Sequence, residues 1–168
     1  MAGGPARQSA MNYRQMAPLI EKAFNRGKPS AVALVINSPG GSPVQSSLIA
    51  RRIRELADEK QIPVFSFVED LAASGGYWLA VAGDAIYLDD SSIVGSIGVI
   101  SSSFGLHKFL EHHGIERRIY TAGKDKSMLD PFQPQKQGDV KRLKEVQSHM
   151  HKTFIAHVKE RRGVAIGD

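Results

Sequence analysis

The chain has 168 residues, 42% of them hydrophobic, and a formal net charge of +5 at pH 7, so it can bury the core of a single domain. The absence of cysteine excludes disulfide bonds, thiolate metal sites and cysteine nucleophiles. Its basic residues lie in scattered pairs and no apolar run reaches the ~18 residues of a membrane helix, so we expect a soluble chain without a nucleic-acid partner.

The first predicted elements are a helix and a strand–helix–strand unit. Residues 1–12 predict a flexible lead, and apolar residues three and four apart over 13–25 predict an amphipathic helix. The apolar runs 31–36 and 63–68 predict strands buried on both faces of a parallel sheet, joined by a helix over 44–60. The turns after both strands should therefore lie at the carboxyl edge of the sheet, where α/β proteins bind ligands.

The turn after the first predicted strand contains two adjacent glycines, Gly40 and Gly41. Glycine adopts backbone angles that other residues resist and lets the backbone approach a bound group closely. Ser42 is predicted to cap the following helix, with Pro43 at its first position and Gln45 completing a capping box.

The second predicted strand leads into Ser74, two glycines and an apolar run that predicts a helix beginning at or beside the serine. Unpaired backbone N–H groups at such a junction would stabilise an anion, as acyl transfer requires. The nucleophile pattern G-x-S-x-G fails, because Ala72 stands where its first glycine belongs. Serine is also a preferred helix N-cap, so the residues alone leave a purely structural role open.

The remaining elements are shorter, apart from the last helix. The sequence predicts strands over 85–88, 96–100 and 117–121, and a helix over 104–113. A long helix over 138–162 carries an apolar stripe that we expect to pack in the core.

A serine nucleophile needs a base, and the histidines are poor candidates because all six lie in charged, helix-like surroundings that predict exposure. A partly desolvated lysine is the remaining choice, because its neutral amine can accept the hydroxyl proton. Lys124 and Lys126 both follow a predicted strand, and the pattern neither distinguishes them nor excludes that both are merely exposed. The histidines are His107, His112, His113, His149, His151 and His157.

Four motifs, in this order along the chain, resemble the signal peptide peptidase A family, the SppA and SohB serine peptidases. The combination is specific, whereas S-P-G-G alone is typical of the wider superfamily. The resemblance implies the ClpP/crotonase fold, an α/β fold of repeated ββα units with a largely parallel sheet flanked by helices. It implies a catalytic domain over 13–163, followed by a tail over 164–168. The motifs are Asn37-Ser38-Pro39-Gly40-Gly41, Ala73-Ser74-Gly75-Gly76-Tyr77, Gly95-Ser96-Ile97-Gly98-Val99 and Gly123-Lys124-Asp125-Lys126.

The resemblance also assigns roles to individual residues. It favours Lys126 over Lys124, because the family lysine stands third after a glycine, here Gly123. No metal or other cofactor is implied. The implied site consists of the nucleophile Ser74, the general base Lys126, the lysine-orienting Ser96 and the oxyanion-hole N–H groups of Gly40 and Gly75.

The function implied by the resemblance is that of a serine endopeptidase that cleaves extended apolar peptides, such as remnants of signal peptides. It further implies a bacterial protein, a ring-like homo-oligomer, octameric in short forms, and in some members a lysine donated across the subunit interface. Family members usually start with an apolar strand, often after a membrane anchor, and continue past the long helix. We therefore expect a fragment covering the catalytic middle, with membrane association only through a segment absent here.

Two alternatives share the fold and stay open. The first is a non-catalytic oligomeric scaffold that binds apolar peptides. The second is a crotonase-type acyl-CoA enzyme, which would use the Gly-Gly turn but would need neither Ser74 nor Lys126.

Overall fold

The computed structural model describes residues 11–123 and 125–163, and it divides into two compact units. The sheet unit comprises residues 11–98 and 153–163, and the loop unit comprises the described residues of 99–152. Most of the predicted lead, Lys124 and the predicted tail lie outside the described residues. The division into a lead, a catalytic domain over 13–163 and a tail stays a prediction.

The helices and strands follow the predicted order, except that residues 117–121 form no strand. Helix α5 begins in the loop unit and ends in the sheet unit, and α4 belongs to the loop unit. The elements are α1 (Tyr13–Asn25), β1 (Val32–Ser38), α2 (Pro43–Lys60), β2 (Val64–Ala73), α3 (Gly75–Ala80), β3 (Ala85–Tyr87), β4 (Ile93–Gly95), α4 (His107–His112) and α5 (Gln137–Arg162).

The four strands form one parallel sheet with β2 at its centre. Strand β1 pairs with one side of β2, in a register that sets Val32 opposite Val64. Strands β3 and β4 pair in succession with β2, through residues 65–67 and 71–73 respectively. The prediction of an α/β fold with a parallel sheet flanked by helices is confirmed. The turns after β1, β2 and β4 therefore lie at one edge of the sheet.

The core of the sheet unit lies between the sheet and its helices. Apolar side chains of α2, β2 and α5 meet there, and Ile49, Val64 and Val158 are buried. Phe24 of α1 belongs to the same cluster. The Ser74 turn is thus built on a packed support, because both β2, which precedes it, and α3, which follows it, contribute buried residues.

The prediction that β1 and β2 are buried on both faces is wrong. Val35 and Phe67, which pair across the two strands, are 67% and 42% exposed, while their neighbours Ile36 and Val68 are buried. Tyr87 of β3 stacks on Phe67 on this outer face, with ring centroids 5.2 Å apart. An unbroken apolar run does not reveal whether one or both faces are covered, since it looks the same in either case.

Two predicted strands are also wrong. Residues 96–100, predicted as a strand, do not form one, and the strand in this region is β4, which ends at Gly95. It ends there because Gly95 and Ser96 have positive φ values, 107° and 54°, which extended strands do not adopt. Residues 117–121 form no strand, and Tyr120 is 90% exposed. The helix predicted over 104–113 is confirmed only as the shorter α4.

The long helix is confirmed, but its burial differs from the prediction. Phe154 and Val158 are 3% and 2% exposed, whereas Val146 is 55% exposed. Only the part of α5 in the sheet unit contributes buried residues to the core cluster, so the apolar stripe is core only near its end.

The predicted capping box of α2 does not form. Ser42 occupies the N-cap position without a side-chain capping bond, although Pro43 is the first helical residue as predicted. The Gln45 Oε1 instead accepts a hydrogen bond from the N–H of Tyr13, at 2.7 Å. A tertiary contact between α1 and α2 thus replaces the local one.

Candidate active site

Ser74 stands at a sharp turn between the end of β2 and the first residue of α3. Its backbone angles are φ 50° and ψ −119°, a conformation that costs a non-glycine residue about 1–3 kcal/mol. Hydrogen bonds hold it there: its N–H donates to the carbonyl of Gly95 at 2.8 Å, and its carbonyl accepts from the N–H of Trp78 at 3.0 Å. Strain of this kind persists only where the surroundings enforce it, and it concentrates at functional sites.

The alternative role of Ser74 as a simple N-cap is not supported by its geometry. An N-cap serine has extended backbone angles, and its hydroxyl accepts a hydrogen bond from an N–H in the first helical turn. Ser74 lacks both features, because its φ is positive and its side chain makes no capping bond. Ser74 is half-buried, and its hydroxyl therefore does not cap α3.

The glycine turn after β1 packs directly against the Ser74 turn. A Cβ added to Gly40, whose φ is 111°, would lie 2.9 Å from both the Gly75 nitrogen and the Ser74 Cβ. A Cβ added to Gly75 would lie 2.4 Å from the Ser46 Oγ. Contacts shorter than 3 Å force a neighbouring atom to move, and at Gly40 one of those atoms is backbone, so a side chain there would displace the Ser74 turn. The structure thus brings together Gly40, Gly75 and Ser74, which the sequence predicted as one site.

The two predicted oxyanion donors differ in their present hydrogen bonding. Gly75 is the first residue of α3 and has no carbonyl earlier in the helix to which its N–H could donate. The N–H of Gly40 donates to the Oγ of Ser38 at 3.2 Å. Ser38 was missed by the sequence analysis, although a serine two residues before the glycine pair was visible in the motif. The oxyanion role of both N–H groups stays a prediction.

Ser96 also lies at the edge that carries Ser74. Gly95 pairs with Ala73 and accepts the hydrogen bond from the Ser74 N–H, so the next residue, Ser96, is held close to the backbone of the serine turn. Ser96 is exposed and has a φ of 54°. Its predicted role in orienting a lysine stays a prediction.

Lys126 belongs to the loop unit, whereas the other predicted site residues belong to the sheet unit. It is exposed and lies in a turn that follows Gly123. The neighbouring Asp125 pairs with Arg142 at 2.6 Å, and this hydrogen-bonded ion pair lowers the pKa of the Asp125 carboxyl. The pairing of Lys126 with Ser74 therefore stays a prediction, and Lys124 lies outside the described residues.

The prediction that all six histidines are surface residues is wrong for His157, and His107 is also half-buried. The His157 ring stacks on Trp78 with centroids 4.9 Å apart, and burial lowers the pKa of its imidazole. Its position three residues after Phe154 and one before Val158 places it beside the buried stripe of α5, a signal that its charged neighbours obscured. Within 11–123 and 125–163, no group of three or more acidic or histidine side chains could hold a metal ion.

Comparison with known proteins identifies the family. The family model described as Peptidase family S49 matches residues 57–168. A Brucella melitensis protein named Na(+)/H(+) antiporter NhaA is 56% identical over the whole chain, which spans 23% of that protein. A Methanocaldococcus jannaschii protein, named as a candidate protease, is 36% identical over 95% of this chain and half of its own length. The chloroplastic serine protease SPPA of Arabidopsis thaliana is 36% identical over 72% of this chain and 18% of its own length.

The chain thus spans half or less of these relatives. Among the residues that the structure describes, every helix is too short or too polar to cross a lipid bilayer. Bacterial proteins are among the relatives, and the predicted membrane association of a longer protein stays a prediction. Other relatives carry the names SppA and SohB, so the predicted resemblance is confirmed. The chain belongs to peptidase family S49, whose members include the SppA and SohB proteins.

Proposed function

We propose that this chain is the catalytic part of a serine endopeptidase, with Ser74 as nucleophile and Lys126 as general base. The observation that carries the proposal is the strained Ser74 turn, whose hydroxyl does not cap α3 and against which the Gly40 backbone is packed. Membership of a peptidase family supports the same reaction class. A scaffold that only bound peptides would gain nothing from holding a serine at this energetic cost.

In the proposed mechanism, the neutral amine of Lys126 accepts the Ser74 proton while the Oγ forms a bond to a peptide carbonyl carbon. The carbonyl oxygen becomes an oxyanion that accepts hydrogen bonds from the N–H groups of Gly40 and Gly75. The C–N bond then breaks, and the lysine ammonium returns the proton to the leaving amine. Lys126 next accepts a proton from a water molecule whose oxygen attacks the acyl carbon. The ester C–O bond then breaks, and the lysine ammonium returns the proton to the Ser74 Oγ, which releases a carboxylic acid.

The mechanism requires one local rearrangement in the glycine turn. Because the Gly40 N–H donates to the Ser38 Oγ, it must exchange that acceptor for the oxyanion. The bond is long at 3.2 Å and is made to a neutral hydroxyl, so an oxyanion is the stronger acceptor. The Ser38 hydroxyl thus accepts the hydrogen bond of the Gly40 N–H until the oxyanion forms.

The proposed substrate is an extended apolar peptide, held by backbone pairing with pockets for alternate side chains. The proposed assembly is a ring of identical subunits, octameric as in short family members. In a ring, Lys126 could act on Ser74 of its own chain or of a neighbour, and its exposure in the single chain is compatible with either arrangement.

The test is hydrolysis of an internally quenched apolar peptide by the wild-type chain and by Ser74→Ala and Lys126→Ala. Each substitution is expected to reduce the turnover rate by on the order of 10²–10⁴-fold or more, because each removes a group that takes part in bond formation or proton transfer. Lys136→Ala, an exposed lysine of the same unit, is the matched control and should retain the wild-type rate. Normal cleavage by Lys126→Ala would rule out the dyad.

Mixing the two inactive variants distinguishes the two arrangements. If the lysine acts between subunits, co-refolded Ser74→Ala and Lys126→Ala chains recover up to about a quarter of the activity, by random pairing. If it acts within one chain, no activity returns. A covalent serine probe that labels the wild-type chain but not Ser74→Ala would separate a peptidase from a peptide-binding scaffold.

A further inference from the structure

Trp78 connects the Ser74 turn to the rest of the sheet unit. It is the sole tryptophan of the sequence, is 5% exposed, and stands one helical turn after the proposed nucleophile. Its N–H donates to the carbonyl of Ser74 at 3.0 Å and so closes the first turn of α3. Any displacement of Trp78 is therefore transmitted to the residue on which catalysis depends.

Helix α5 holds the indole of Trp78 with two rings. The Phe154 ring lies 4.7 Å from it, centroid to centroid, at an interplanar angle of 29°. The His157 ring stacks at 4.9 Å and 17°. Phe154 is itself buried, so apolar packing already anchors the indole. His157 adds a polar contact that Phe154 cannot make.

What His157 supplies is a hydrogen bond to the Trp78 backbone. Its Nε2 lies 3.1 Å from the Trp78 carbonyl oxygen. A carbonyl can only accept, so Nε2 carries the proton and donates. In a continuing helix the Ala82 N–H would bond to this carbonyl, but it donates to Leu79 instead, at 3.0 Å. The early end of α3 thus leaves a carbonyl that His157 satisfies.

Three hydrogen bonds then run in series from α5 to the sheet. His157 donates to the Trp78 carbonyl, Trp78 donates to the Ser74 carbonyl, and Ser74 donates to the Gly95 carbonyl, at 3.1, 3.0 and 2.8 Å. Trp78 and Ser74 are thus each held through both their backbone N–H and their backbone carbonyl. The backbone of the serine turn is therefore fixed between a side chain of α5 and a strand of the sheet.

We propose that His157 is a positioning residue for Ser74: its Nε2–H fixes the Trp78 carbonyl and thereby the turn of α3 that carries Ser74 and the Gly75 N–H. This inference rests on the proposed function. Catalysis by a strained turn depends on small distances, and a misplacement of about 1 Å can cost on the order of 10²-fold in rate. His157 acts through the backbone and does not touch the reacting atoms.

Two substitutions separate the donor from the ring. His157→Phe keeps the stacking on Trp78 and removes the donor, whereas His157→Gln removes the ring and retains an amide N–H at a similar reach. His151→Phe is the matched control, because it makes the same change at an exposed position of α5. The measured quantity is the rate constant for labelling of Ser74 by a fluorophosphonate probe, and the final stoichiometry of labelling counts the folded sites.

We expect His157→Phe to be labelled about tenfold more slowly than the wild type, with the same final stoichiometry, since one hydrogen bond of ordinary strength is lost. His157→Gln should stay within about threefold of the wild type, and His151→Phe should not differ from it. A role in packing alone predicts the opposite order, with His157→Gln the slower of the two.

Labelling of His157→Phe at the wild-type rate would overturn the positioning role and leave the proposed nucleophile intact. Absence of labelling in the wild type would overturn both proposals together. If His157→Phe does not fold, as judged by its circular dichroism, the comparison passes to His157→Asn and His157→Gln. These carry the same amide, but only glutamine reaches far enough to donate, so equal labelling rates for this pair would also refute the proposal.

Discussion

The turn that carries Ser74 and the turn that carries Lys126 differ in how firmly the chain holds them. The Ser74 backbone donates and accepts hydrogen bonds, a second turn packs against it, and buried residues of α3 follow it. Lys126 is exposed in its turn, and its neighbour Asp125 is held by an exposed ion pair with Arg142. The proposed nucleophile is thus fixed by the packing of the sheet unit, whereas the proposed base lies in an exposed turn of the loop unit.

Alanine substitutions at two glycines with nearly the same φ are the strongest test of this contrast. Gly40 and Gly123 have φ values of 111° and 107°, so alanine meets the strain of a positive φ at both. A Cβ at Gly40 would lie 2.9 Å from the Gly75 nitrogen, whereas the nearest contact given for one at Gly123 among the described residues is the flexible side chain of Lys126, at 3.5 Å.

Gly40→Ala should therefore reduce peptide hydrolysis by on the order of 10²–10³-fold, since it displaces a proposed oxyanion donor. Its unfolding midpoint in urea should also fall below that of Gly123→Ala, which carries the backbone strain without the clash. Equal midpoints for the two variants would show that the Ser74 turn is no more tightly packed than the lysine loop.

Ser96→Ala tests whether the sheet unit contributes to holding the lysine. Ser96 follows the strand that pairs with Ala73, and its hydroxyl is proposed to orient Lys126. Loss of one such hydrogen bond should lower kcat about tenfold and leave KM unchanged, because the lysine acts in the chemical step. Ser101→Ala, an exposed serine of the loop unit, is the control. An unchanged kcat in Ser96→Ala would contradict the orienting role.

Protonation of His157 gives a smaller effect, confined to acidic conditions. Burial and the charge of Arg161 lower the pKa of this imidazole, while the hydrogen bond to Trp78 and the charge of Glu160 raise it; burial prevails. Arg51 and Arg54 of α2 line the same small cavity, and Arg54 is paired there with Asp58 and Asp84.

Because the pKa of the folded state lies below the ordinary value of 6.5, the contribution to stability is present above pH 6.5. It decreases as the pH falls from 6.5 through the lowered pKa, where the unfolded chain binds the proton first. Urea midpoints of the wild type should therefore decrease more between pH 7.5 and pH 5 than those of His157→Gln. A parallel decrease in both would show that other groups govern the acid response.

The smallest expected effect is that of Asp125→Asn in the lysine loop. The Asp125–Arg142 pair is exposed, with both side chains about half accessible, and such pairs contribute little to stability. The unfolding midpoint should stay within error of the wild type, and hydrolysis should change by less than about threefold. A large loss of activity with unchanged stability would show that this ion pair positions Lys126, and would narrow the contrast between the two turns.

Periodicity and small-residue junctions predicted much of the fold. The bounds of α1 agree with the prediction because its apolar spacing has the period of a helix, and the strand-to-helix junction at Ser74 follows from an apolar run that meets two glycines. The outer-face exposure of Val35 and Phe67 could not be predicted, since the apolar run is continuous. The contact of Gln45 with Tyr13 and that of His157 with Trp78 join residues far apart in sequence, so no local pattern carries them.

The residues themselves predicted that the two turns around Ser74 meet, but they did not predict which lysine acts with it. Gly40, Gly75 and Ser74 meet because two turns follow neighbouring parallel strands, which is a rule of topology. The role of Lys126 came from a family motif alone, since the residues left Lys124 equally possible. What an exposed loop does depends on its surroundings, and a single sequence contains no information about those.

The positive φ of Ser74 implies a conflict between durability and turnover. Glycine would adopt this conformation without penalty, so a chain selected only to resist unfolding would replace the serine and gain part of the ~1–3 kcal/mol of strain. With Ser74 as the proposed nucleophile, retaining a hydroxyl there would sacrifice some stability for reactivity, as enzymes commonly do. Screens for heat-resistant variants of this chain would therefore enrich glycine at position 74 among molecules that have lost their chemistry.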